Sequence, residues 1–163
     1  KKGKITVRID ISELSKTDNS IQDLEFLEST YKDLIPTEKQ KVILSRIGQG
    51  IFRKNLIDYW GKCCVTGCMN FTLLKASHIK PWRCADNQER LDTFNGLLLI
   101  PNLDTTFDIG IISFNEDGNI IVSSKLDIQD RKILGLSVDF RINGLTETHK
   151  NYMEYHRDIM FDG

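Results

Sequence analysis

Ala76-Ser77-His78-Ile79-Lys80-Pro81-Trp82, then Asn95-Gly96-Leu97-Leu98-Leu99, then Leu103-Asp104-Thr105-Thr106-Phe107-Asp108 set one imidazole, one amide and two carboxylates in order along the chain. His78 is able to take a proton from water near neutral pH. Asn95 can orient a neighbour through its amide, and Asp104 and Asp108 offer hard oxygen ligands to a divalent cation. If residues 101–108 form a short helix, the two carboxylates stand one turn apart and share a face. The apolar runs around these groups read as strands at residues 73–80 and 97–100, followed by a helix at 103–107. The polar loop between the strands, 83–93, is where a reader of a partner's sequence would sit.

Taken singly, each residue has a plainer reading. His78 after an apolar strand reads as a satisfied structural histidine. Asn95-Gly96 reads as a turn dipeptide, Asp104 as a helix cap, and Asp108, Lys80 and Arg83 as solvated charges. The order and spacing of the whole set carry more weight than any member.

With Cys64-Val65-Thr66-Gly67-Cys68 ahead of them and Arg90-Leu91-Asp92-Thr93-Phe94-Asn95-Gly96 between them, these segments resemble the HNH endonuclease family, in a subgroup of restriction or defence enzymes. The resemblance covers residues 46–126 well and reaches weakly to Tyr155-His156-Arg157. It implies an α+β fold: a ββα-metal (His-Me finger) nuclease core at about 64–110 with flanking helices and a C-terminal β-hairpin and helix. It implies His78 as general base, Asn95 as the residue fixing the loop and the base, and Asp104 in the family's third position. Asp104 and Asp108, with Asn95, are then the expected ligands of one Mg²⁺ or Mn²⁺ ion, because carboxylate and water oxygens suit those metals. Ser77 stands where some members carry an Asp or His ligand. Lys80 and Arg83 are expected on the scissile phosphate or its neighbours. Arg46-Ile47-Gly48-Gln49-Gly50-Ile51-Phe52-Arg53 resembles the subgroup's R-x-G-Q-x-x-F-R element, whose Arg46 and Arg53 would meet DNA backbone or each other.

Composition allows this reading without selecting it. The 163 residues are 40% apolar, enough for one ordinary core. A net charge of −1 gives no global drive toward DNA, so a nucleic-acid surface must be local. Basic residues do gather from Lys39 onward, while the first 33 residues are acid-rich. Four cysteines, Cys63, Cys64, Cys68 and Cys84, lack the second C-x-x-C pair of a structural zinc site, so no structural Zn²⁺ is expected and reduced thiols are. Without a signal peptide or a membrane-length apolar run, a cytoplasmic setting is expected.

Working outward, residues 5–11 alternate as a strand, 16–20 read as a turn, and 24–34 as a short helix ended by Pro36. Residues 1–36 are therefore expected to be a linker or the edge of a preceding domain, and 37–163 the nuclease domain. Thr37 to Gln40 read as a capping box opening a long helix toward Trp60, weakened at Gly48 and Gly50. Asp117-Gly118 between two apolar runs signals a hairpin, and residues 146–161 an amphipathic helix. His149 and His156 read as structural or solvent-facing. The expected partner is double-stranded DNA, with two copies pairing if both strands are cut and with a missing N-terminal recognition or sensor domain. The alternative is a catalytically inactive nucleic-acid-binding module on the same fold.

Overall fold

The computed structural model describes residues 36–163, with side chains described from Ser45 onward. The expected strand at 5–11, turn at 16–20, helix at 24–34 and capping-box side chains at 37–40 lie outside the described residues. Residues 48–163 form one compact unit.

Helix α1, Pro36–Trp60, continues without a break through Gly48 and Gly50, where the sequence suggests a weak point. A Cβ at Gly48 would meet Leu91 at 3.4 Å and Trp82 at 3.6 Å, ordinary van der Waals contact, so the approach of the loop does not require glycine there.

Strands β1, Lys75–His78, and β2, Gly96–Leu99, pair antiparallel with His78 opposite Gly96 and Ser77 opposite Leu97. β1 is shorter than its apolar run suggests, because a turn over residues 71–73 precedes it and Pro81 ends the ladder beyond Ile79, whereas β2 has the expected length and starts one residue earlier. β2 is buried on both faces, with Leu97, Leu98 and Leu99 fully enclosed. Each such side chain contributes roughly 2 kcal/mol by leaving water. A register slip of one residue would turn His78 to the opposite face of β1 and Ser77 with it, so the buried leucines also fix the chemistry.

Helix α2, Pro101–Asp108, follows β2 at once, started by Pro101 at its first turn and buried through Leu103, Thr106 and Phe107. Strands β3, Ile112–Phe114, and β4, Ile120–Val122, form a second antiparallel sheet. In its turn the Asn115 side-chain oxygen accepts from the Asp117 and Asn119 amides. A short helix α3, Ile128–Ile133, leads to α4, Glu147–Tyr155, capped reciprocally by Thr146 and His149. The chain then widens into a π turn, His156–Met160, so the expected helix over 146–161 is α-helical only in its first part. Mixed helices and small antiparallel sheets make the architecture α+β.

The π turn has a purpose visible in its first residue. His156 is 1% exposed, stacks on Phe107 with ring centres 3.8 Å apart, and donates from Nε2 to the Phe107 carbonyl at 3.0 Å. Its Nδ1 takes the Ser113 hydroxyl at 2.9 Å. Burial disfavours the charged ring and pushes the imidazole down from 6.5 to about 4. The unfolded chain therefore takes up a proton below pH 6.5 that the native state refuses until about pH 4. His156 should stabilise the fold fully above that window and lose about 3 kcal/mol across it. Urea unfolding at pH 8 and pH 4 measures this loss, and His156→Gln should shrink it.

Candidate active site

His78 ends β1, and its surroundings leave one nitrogen for chemistry. Nε2 lies 3.0 Å from the Arg90 carbonyl. A carbonyl only accepts, so Nε2 carries the proton and the lone pair sits on Nδ1. The ring stacks on Phe52 with centres 3.8 Å apart and planes 9° apart, and meets Trp82 edge-on at 5.5 Å. Burial pushes its pKa below the ordinary histidine value, the Arg90 charge adds to this, and the Arg90 carbonyl and Asp108 oppose it. The imidazole is thus held neutral at physiological pH.

Asn95 is fully buried and spans the loop that leads away from His78. Its Oδ1 accepts from the Lys80 amide at 2.7 Å, and its Nδ2 donates to the carbonyls of Lys80 at 3.2 Å and Glu89 at 3.0 Å. With both amide hydrogens and the oxygen engaged, Asn95 is a backbone clamp. Nor is Asn95-Gly96 a turn: Gly96 is extended at φ −145° and opens β2.

Asp104 and Asp108 stand one turn apart on α2. The helix cap is Ile100, so the capping reading of Asp104 does not hold. Burial raises the Asp104 pKa, Asp108 raises it further, and Ser77 and Lys75 pull it back. Asp108 is exposed, and its charge is felt by His78, Asp104 and His156. Among the described residues no three His, Cys, Asp or Glu side chains converge as a metal cluster; this centre offers a pair of carboxylates. The thiols are all free, with Cys63 and Cys64 buried, Cys68 half-buried and Cys84 exposed.

Two cations expected on DNA already have partners. Lys80 Nζ binds both Glu89 oxygens at 2.6 and 2.7 Å and lies 5.3 Å from the centre of the Tyr155 ring, so its charge is neutralised within the loop. Arg53 donates to the carbonyls of Leu74 and Phe71, both at 2.6 Å, and so pins the turn that feeds β1. In the free chain both hold structural contacts. Arg83 is exposed and touches only the Met160 sulfur, at 3.8 Å, among the hydrogen bonds of the described residues. Arg46 is exposed on α1.

Several residues of the site escape a reading of the sequence. Arg90 matters through its carbonyl, and its side chain is held by the Trp82 carbonyl, Asn87 and the Trp82 ring. Glu89 matters as the counterion of Lys80. Phe52 carries a faint signal, since it belongs to the motif that also contains Arg53.

Among the described residues no helix is long and apolar enough to cross a membrane. Comparison with curated proteins gives no match. Residues 63–115, which contain β1, β2, α2, β3 and with them His78, Asn95, Asp104 and Asp108, match the family model HNH_2, described as HNH endonuclease, which supports placing this segment in the HNH family.

Proposed function

We infer that the chain is a metal-dependent DNA endonuclease, the cleavage domain of a restriction or defence enzyme, with the domain at 37–163 and a ββα-metal core at about 64–110. The observation that carries the reading is the His78 imidazole, whose Nε2 donates to the Arg90 carbonyl and leaves the Nδ1 lone pair available, on a strand packed against the helix that bears Asp104 and Asp108.

In the reaction, His78 Nδ1 takes a proton from water as the water oxygen forms a bond to phosphorus in line with the leaving oxygen, whose P–O bond breaks. Arg90 and Asn95 hold the imidazole and its loop in place. Asp104 and Asp108 are the residues that would hold the cation. A desolvated carboxylate beside a second one fits a hard ion that keeps waters and phosphate oxygens as its other ligands. When bound, Mg²⁺ or Mn²⁺ supplies positive charge for the phosphate and the leaving oxygen. Arg83 and Arg46, both exposed, and with them Lys80 and Arg53, are the basic candidates for contacts along double-stranded DNA, and two copies paired by a two-fold axis would supply both cuts.

One observation favours the inactive binding module instead: Ser77, a buried neutral hydroxyl, occupies the place of a ligand in other members. Incubating supercoiled plasmid with purified protein in Mg²⁺ or Mn²⁺ and in EDTA separates the two. Nicked or linear product that needs metal is expected. Intact plasmid under every condition, together with a mobility shift, would favour the module.

A further inference from the structure

We propose that Phe52 is a positioning residue for His78, holding the imidazole in one orientation and one tautomer through a face-to-face stack that the bare Cα of Gly96 admits. The proposal rests on the reading of His78 as general base.

A histidine ring turns easily about its last torsion, where the preferred wells are broad. A single hydrogen bond from Nε2 to Arg90 leaves that plane loosely defined. The Phe52 ring, 3.8 Å away and within 9° of parallel, closes one face, and the Trp82 edge restricts the ring further. Phe52 is 1% exposed in the core beside Leu56, so its own rotamer is fixed by packing.

Gly96 sits opposite His78 in the β ladder. Its φ of −145° is extended backbone that any residue adopts, so the backbone does not require glycine. The side chains from α1 do. A Cβ there would lie 2.6 Å from Cζ of Phe52 and 2.7 and 2.9 Å from the Leu56 methyls. Glycine at 96 is thus the space through which Phe52 reaches the imidazole. The neighbouring Arg53 grips the carbonyls of Phe71 and Leu74, so one turn of α1 holds both the ring of His78 and the entry to its strand.

The test compares Phe52→Leu with Phe114→Leu. Both delete a buried aromatic face and keep an apolar core, but the ring of Phe114 meets Phe107, whereas His78 stacks on Phe52 and meets Trp82. Imidazole ¹⁵N spectra of the full chain report the His78 tautomer without reference to cleavage, and steady-state cleavage separates kcat from KM. Wild type and Phe114→Leu should show His78 protonated on Nε2 alone. Phe52→Leu should show exchange between tautomers and a kcat lower by about tenfold or more with KM unchanged, since small misplacements of reacting groups are that costly. An unaltered His78 spectrum in folded Phe52→Leu overturns the proposal, and so does an equal loss of kcat in Phe114→Leu. If wild type cleaves nothing, the nuclease reading fails while the spectra still decide the stack.

Discussion

His78→Ala is expected to lower plasmid cleavage by about 10²–10⁴-fold, with KM for DNA little changed, because a positioned general base is worth that much and acts only as the transition state forms. The fold should survive: the change removes a half-buried ring and leaves the buried leucines of β2 in place. A melting curve close to wild type, run beside the cleavage assay, establishes this. Cleavage by the variant at the wild-type rate would place the chemistry elsewhere and overturn the function inferred above.

Asn95→Ala should cost about 4 kcal/mol of stability, because three backbone groups that Asn95 now satisfies, the Lys80 amide and the Lys80 and Glu89 carbonyls, lose their partner in the interior. Removing an amide from a fully buried site adds a cavity. That sum is a large part of what holds a domain of this size together. The urea midpoint should fall with little change in slope. Asn95→Asp is informative beside it: the acceptor for Lys80 is kept, both donors are lost, and a carboxylate is buried facing two carbonyls. Equal stability of wild type and both variants would show that the loop does not depend on this clamp.

The main chain of the site was legible because its elements have strong local causes. Three leucines after Gly96 leave no polar face for a strand to expose, and Pro101 starts a helix in which Asp104 and Asp108 align by the period of the helix alone. What could not be read were partners fixed by folding. Lys80 looks like a phosphate ligand until Glu89, nine residues on, is brought back against it by a turn in which Asp86 accepts the Gln88 and Glu89 amides. Arg53 looks like a DNA contact until the turn before β1 presents two carbonyls to it. Gly96 looks like part of a turn because Asn-Gly is a turn dipeptide, and only the approach of α1 shows that the missing side chain makes room for Phe52. In each case sequence supplies the chemistry of a side chain, and tertiary structure decides which group it meets.

The far end of the chain closes on this centre. His156 holds the Phe107 carbonyl, the amide of Asp162 donates to the carbonyl of Gly110 at 2.9 Å, and a Cβ on Gly110 would collide with the Met160 backbone at 1.9 Å. The helix that bears the carboxylates is therefore secured by residues the ribosome adds about fifty positions later, and chains emerge from their amino end. A polypeptide interrupted before Tyr155 would contain His78, Asn95, Asp104 and Asp108 yet leave the end of that helix untethered. All four of these side chains are thus in place in the chain before the segment that secures the helix of the two carboxylates has been made.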